Sequence, residues 1–230
     1  DYFDMILKAY IIAEQPEVHL PVGIFADGFF VTHTRDLVML PPEDIKLPEY
    51  DPKTAPVPAF DMETPPMRVS RDPLLNKSNY TSYAANAIWH QEILAAAERA
   101  KKHINHYLGG MIEVSNPDAK IIIAASGTAV SQSREAIRAL EEEGIEVGLI
   151  KVKSIRPFPT KEIIEATKNA EIILVPEFNA GGWLCREIKA TIDNNSRVIE
   201  GPRVYGGMIM PKEIIMNEIK NAINKNNSKR

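Results

Sequence analysis

Cysteine is all but missing from this sequence: Cys185 is the one thiol in 230 residues. A lone thiol excludes an internal disulfide and any iron–sulfur or zinc centre held by several cysteines of this chain, so an electron-transferring metal has to sit on another chain. Long hydrophobic runs are missing too. The longest, such as Ile121–Ala125 and Ile172–Val175, are far shorter than the roughly 20 residues of a membrane-spanning helix. There is no surplus of positive charge, with 27 Lys and Arg against 31 Asp and Glu and a pI near 5.8, so the footprint of a nucleic-acid binder is absent. Internal repeats and low-complexity tracts are also lacking. Together these absences lead us to expect a soluble protein of a reducing cytoplasm, without membrane or nucleic-acid partners. The first residues, DYFDMILKAYIIAEQ, carry no initiating methionine and no basic leader and run straight into helix-spaced apolar positions. We therefore expect a chain that starts partway through a longer protein, with the preceding part able to hold some of an active site.

What is present has two textures. Phe3, Ile6, Leu7, Tyr10 and Ile11 predict an opening helix, and HLPVGIFADGFF predicts a strand ending in an Asp-Gly turn at Asp27 and Gly28. Residues 1–40 thus read as the end of an α/β domain. From Pro41 to Pro73 lie nine of the seventeen prolines. That density forbids regular elements and predicts a connector over 41–80, with Val57, Phe60, Met62, Met67 and Leu74 wrapping a neighbouring surface. Residues 81–110 read as a long helix stopped by Gly109 and Gly110. Strands and helices then alternate: IIIAA, a helix from Ala129 to Glu143, EVGLIKV, a helix from Thr160 to Lys168, EIILVP, a helix from Gly182 to Ile192, RVIEG, and a helix from Pro211 to Ile223. Such alternation predicts an α/β domain over 111–225 with an open, mainly parallel sheet, and a frayed tail at 226–230.

Candidate chemistry falls at the predicted strand ends. Ser126, Gly127 and Thr128, between a strand and a helix, form a candidate anion-binding turn, or a plain turn with a hydroxyl cap. Arg156, in Arg-Pro-Phe-Pro, is placed to hold a carboxylate or phosphate, or to bind carbonyls or another subunit. Glu177 and Asn179 precede a Gly-Gly helix entry and are candidates for a place near substrate or at a subunit interface, yet no second carboxylate or histidine accompanies Glu177, which argues against acid–base catalysis and for turn formation and subunit packing. Trp183 reads as an interface or core anchor, and Cys185 as a packed thiol. Asp27, Gly28 and His33 stand beyond a strand end, near a bound substrate or fixing the departing chain. His103 and His106, three residues apart, lack a completing carboxylate at ligand spacing and read as a solvated helix face. No catalytic and no metal-binding residue is assigned.

Taken in order, these motifs resemble the alpha chains of 2-oxoacid:ferredoxin oxidoreductases. LPVGIFADGFFVTH is similar to the family's Asp-Gly-Phe and Ser/Thr-His segment near the end of its first domain. Tyr107, Gly109, IIIAASGT and EEGIEVGLIKVKSIRPFP are similar to the start and middle of the following domain, and VPEFNAGGWLCREI to its "PE-N-G-x-L" segment. The resemblance implies a transketolase carboxyl-terminal-like domain over 111–225 and the tail of a thiamine-enzyme pyrimidine-binding domain over 1–40. It further implies a hetero-oligomer with beta-, gamma- and delta-type subunits. That assembly decarboxylates a 2-oxoacid oxidatively on thiamine diphosphate with Mg, forms an acyl-coenzyme A, and passes electrons through iron–sulfur clusters to ferredoxin. None of these groups would be bound by this chain alone, which would serve as scaffold and subunit contact. Pro176-Glu177-Phe178-Asn179 leans toward the 2-oxoglutarate or branched-chain type and DGFFVTH toward the pyruvate type, so the 2-oxoacid stays open. Two alternatives stand beside this one: a carboxyl-terminal domain of a transketolase or 2-oxoacid dehydrogenase E1 component, and a stand-alone anion-binding α/β module.

Overall fold

A computed structural model describes residues 2–35, 37, 39, 40, 49 and 76–228. Apart from 49 and 76–80, the proline-rich connector and its five apolar residues lie outside them. The chain divides into two compact units, one of Asp1–Phe25 and Arg35–Gly109, the other of Ala26–Thr34 and Gly110–Arg230.

The first unit packs α1 (Tyr2–Ala13) against α2 (Asn76–Leu108). The α1 stripe is centred on Ala9 and Ile12, both buried, whereas Tyr10 and Phe3 are exposed. Residues 76–80, expected in the connector, already belong to α2. After α1 the predicted strand does not form: residues 20–27 carry no ladder. Among its apolar residues Phe25 and Val22 are exposed.

The predicted solvated histidine face also needs correction. His103 is buried, its ring stacks on Tyr107, and its Nε2 lies 2.7 Å from Glu17 Oε1, while Arg99 Nε donates to Glu17 O. The pair ties the Gln15–His19 turn to α2. The hydrogen bond with His103 is the main reason that the Glu17 carboxyl is held below its usual range. A carboxyl depressed on folding stabilises above its unfolded pKa, and loses that contribution as pH falls through the folded one. Protection of the Val18 and His19 amides, which both donate to Gln15 O, is therefore expected to fall in acid. Glu17→Gln should abolish the acid-dependent part; equal protection profiles for wild type and variant between pH about 3 and about 6 would refute the tie.

The second unit is a five-stranded sheet of order β1-β3-β2-β4-β5, built from β1 (Ile112–Ser115), β2 (Ile121–Ala125), β3 (Gly148–Val152), β4 (Ile172–Glu177) and β5 (Val198–Arg203). The β2, β3, β4 and β5 pairs are parallel, and β1 lies antiparallel on β3. This is the expected α/β class with a mainly parallel sheet. The edge strand β1 was not anticipated, although Ile112 and Val114 alternate with Glu113 and Ser115 as a half-covered strand requires.

Successive strand residues serve opposite faces. Ile122, Ala124, Ile150 and Ile173 pack under α4 (Thr160–Ala166) and α5 (Trp183–Thr191) through Ile163, Leu184 and Ile188. Ile123, Ala125, Leu149 and Leu174 pack under α3 (Thr128–Glu142) and α6 (Lys212–Asn227) through Ala136, Leu140, Ile215 and Ile219. Fully covered strands of this kind are why IIIAA and IILV are continuously apolar. Helix α6 continues into the first two residues of the expected frayed tail, to Asn227, and Ala222 and Ile223 are still held against the sheet. Among the described residues no helix is long and apolar enough to cross a membrane.

Candidate functional site

The strand order creates one distinctive place. From β2 the chain leaves through α3 to β3 on one side; from β4 it leaves through α5 to β5 on the other. Because α3 and α5 cover opposite faces, the loops after β2 and β4 diverge, and the carboxyl edge between them is the switch point where α/β sheets take ligands. Ser126, Gly127 and Thr128 form the first of those loops, and Glu177 and Asn179 begin the second.

Glu177, Asn179 and Ser126 spend their side-chain polar groups internally. Glu177 is buried, and its carboxylate accepts hydrogen bonds from Leu184 N at 2.8 Å, Cys185 N at 3.0 Å and Asn179 Nδ2 at 2.8 Å. Asn179 Oδ1 in turn accepts from Gly182 N at 2.7 Å. Glu177 thus occupies the positive end of α5 as an internal anion, a role for which a single carboxylate suffices. Ser126 Oγ donates to Val152 O across the ends of β2 and β3 at 2.9 Å, and α3 follows Gly127 with no side-chain cap.

The remaining candidates take similar parts. Arg156, exposed after β3, pairs with Glu187 on α5 at 2.7 Å and with its neighbour Ile155 O. Asp27 caps its own turn, accepting from Phe29 N and Phe30 N; Thr32 Oγ1 and His33 Nδ1 both close on Gly28 O. Phe30 from this turn lies against Phe178, with ring centroids 6.3 Å apart. The fold therefore brings the Asp27–His33 turn onto the loop of Glu177 and Asn179, and sets the Ser126 turn on the neighbouring strand end. Arg156 stands one strand further out.

Cys185 is buried, and that burial pushes its thiol pKa up, away from the thiolate a nucleophile needs. Trp183 is not a core anchor: its ring lies outside the sheet, over the Cα of Gly181 and under the Arg186 guanidinium at 5.0 Å. Sequence reasoning passed over Arg203, which reaches Ala180 O at 3.2 Å and lies beside Gly182. These two neighbours lie more than 20 positions away, and no local pattern marks it.

Two family profiles match the chain in succession. Residues 1–100 match "Pyruvate flavodoxin/ferredoxin oxidoreductase, thiamine diphosphate-binding", and residues 119–214 match "Pyruvate:ferredoxin oxidoreductase core domain II". The pyruvate synthase subunit PorA of Methanothermobacter thermautotrophicus is 32% identical over 82% of this chain and 51% of its own length. The chain belongs to the 2-oxoacid:ferredoxin oxidoreductase family, in its alpha-subunit branch.

Another relative is the ketoisovalerate oxidoreductase subunit VorA of Pyrococcus horikoshii, 27% identical over 84% of this chain and 50% of its own. Among solved structures, the 2-oxoglutarate:ferredoxin oxidoreductase from Magnetococcus marinus is 24% identical with a TM-score of 0.48, covering 61% of this chain and 23% of that one. The chain spans about half the length of the curated relatives it matches. For an oxidoreductase of this family, the donor set here is sparse. Among the described residues no three His, Cys, Asp or Glu side chains gather as a metal site, and the one thiol is buried. With one buried thiol, the described residues lack the thiolates that an iron–sulfur cluster needs.

Proposed function

We propose that this chain is part of the alpha subunit of an enzyme for coenzyme A-dependent oxidative decarboxylation of a 2-oxoacid, and that it serves there as scaffold and subunit contact. In this reaction the bond between carboxylate and carbonyl carbon breaks, a thioester to coenzyme A forms, carbon dioxide leaves and the electron pair passes to ferredoxin. Thiamine diphosphate, Mg and iron–sulfur clusters belong to the assembled complex, with ligands on beta-, gamma- and delta-type partners and on alpha-subunit sequence outside the described residues.

The observation that carries the scaffold reading is the internal use of polar groups at the switch point. Glu177 fills the start of α5, the Ser126 hydroxyl is spent on Val152 O, and Phe30 rests on Phe178. The Ser126–Val152 bond fits the plain-turn reading of Ser126, in which its hydroxyl serves the fold. Pyruvate is the first substrate to test, since the pyruvate synthase relatives reach 32% and 31% identity against 27% for the ketoisovalerate enzymes.

The full-length alpha chain co-expressed with its partner chains is expected to purify as a complex absorbing in the visible iron–sulfur region. That complex should reduce a low-potential acceptor when given pyruvate and coenzyme A, less well with 2-oxoglutarate or 2-oxoisovalerate, and not after thiamine removal. A chain that purifies alone, with no associated subunits and no such activity, would refute the proposal.

A further inference from the structure

We infer that the carboxyl edge of the sheet beside α5 and β5 is a docking surface for another protein chain of the complex, one that presents an acidic segment with apolar side chains. This rests on the reading of the chain as a subunit, and goes further by naming the surface and the chemistry of its partner.

Four large apolar side chains stand in solvent there: Trp183 is 63% exposed, Tyr205 62%, Met208 66% and Ile209 63%. They share one rim. Val204 N donates to Glu177 O, and Arg203 reaches Ala180 O, so the segment after β5 runs beside the loop that launches Trp183. Exposed Trp and Tyr next to Arg are the residues that dominate binding energy at protein interfaces.

Trp183 is also held in place. A Cβ on Gly181 would lie 2.5 Å from the indole Nε1 and 2.7 Å from Cε2, so the ring rests directly on the glycine backbone, while Arg186 covers it at 5.0 Å. A large apolar ring fixed in solvent needs little further ordering on binding.

Charge selects the partner. The rim carries Arg156, Arg186 and Arg203. Glu187 is engaged by Arg156, and Glu200 by Lys189 and Arg203. Among the described residues Arg186 has the Trp183 ring and no carboxylate. A basic rim on a chain of net charge −4 complements an acidic segment. A two-fold pairing of the rim with its own copy would oppose like charges. A phosphate ligand is disfavoured because the first amides of α5 already bind Glu177.

The test uses the full-length chain in its complex. Trp183→Ala should weaken association with one partner chain about thirtyfold, the scale of an interface hot spot. Gly181→Ala, which displaces the ring without removing it, should weaken it in the same sense, and Trp183→Phe should restore most of the loss. Arg186→Glu should weaken association and flatten its salt dependence. Thermal melting of each variant separates lost docking from lost folding. With p-benzoylphenylalanine in place of Trp183, photocrosslinking should capture a peptide of another subunit rich in Asp or Glu with apolar neighbours. Undiminished assembly of Trp183→Ala and Arg186→Glu, or crosslinks confined to a second copy of this chain, would overturn the surface while leaving the enzyme reading intact. Absence of any partner chain from the wild-type preparation would overturn both.

Discussion

Glu177→Ala is expected to destabilise the second unit by about 3 kcal/mol, since each buried donor left without an acceptor costs roughly 1–3 kcal/mol and some of that is recovered as water enters the opened helix end. Three donors lose their acceptor at once: the amides of Leu184 and Cys185 and the side-chain amide of Asn179. Glu177→Gln separates charge from shape. With its oxygen placed where Leu184 N and Asn179 Nδ2 converge, glutamine keeps two bonds and turns an NH2 group toward Cys185 N, donor against donor. The glutamine variant should therefore lose less than the alanine variant, about 1–2 kcal/mol. Amide exchange in the peptide containing Leu184 and Cys185, measured in the assembled complex, should rise most for alanine and less for glutamine. Unchanged exchange in both variants would show that α5 does not depend on this carboxylate. Because Trp183 is the first residue of α5, opening that helix start should also loosen the exposed ring.

This dependence explains why the role of Glu177 was only partly legible in the sequence. A strand ending in Pro-Glu-Phe-Asn before Gly-Gly announces a tight strand-to-helix passage, and the lack of a second carboxylate argues against acid–base chemistry. The partners of Glu177, however, are main-chain amides seven and eight residues on, and side-chain letters do not record them. His103 is the long-range version of the same difficulty: its partner Glu17 lies 86 positions away, so the helix-face pattern alone pointed to solvent.

The sheet was far easier to read. Strands covered on both faces have to be apolar at every position, and IIIAA and IILV are. HLPVGIFADGFF is also rich in apolar residues but has no ladder among the described residues, because apolar residues dictate a strand only where another strand offers its hydrogen bonds. Of the two readings of Trp183, interface or core anchor, the core one does not hold. Its hydrophobicity predicts burial, but the glycine backbone and a guanidinium sandwich it at the surface.

The second large effect is expected at Gly201, in β5. The ladder between β4 and β5 runs regularly from Ile173 and Val198 to Val175 and Glu200, then shifts before Glu177 pairs with Arg203. Pro176, with no N–H to give to the ladder, sits within the shift, and Gly201 packs against it. A Cβ there would lie 2.7 Å from Pro176 N, 2.7 Å from Val175 C and 2.8 Å from Val175 O. These are backbone atoms, so no side-chain rotation relieves the overlap, and β4 itself has to move. Gly201→Ala is expected to cost about 2–3 kcal/mol, the upper range for overpacking. Gly206→Ala supplies the contrast: nothing lies within 4 Å of its added Cβ and its φ is +72°, so only backbone strain of about 1 kcal/mol remains. The decisive measurement is the double variant. If Gly201 matters because it seats the end of β4, and so aims Glu177 at α5, then Gly201→Ala already sacrifices much of what Glu177→Ala removes. Denaturant unfolding of Gly201→Ala, Glu177→Ala and their combination should then give a combined loss clearly smaller than the sum. Strict additivity would separate the β4–β5 contact from the start of α5 and leave Glu177 positioned by its own loop.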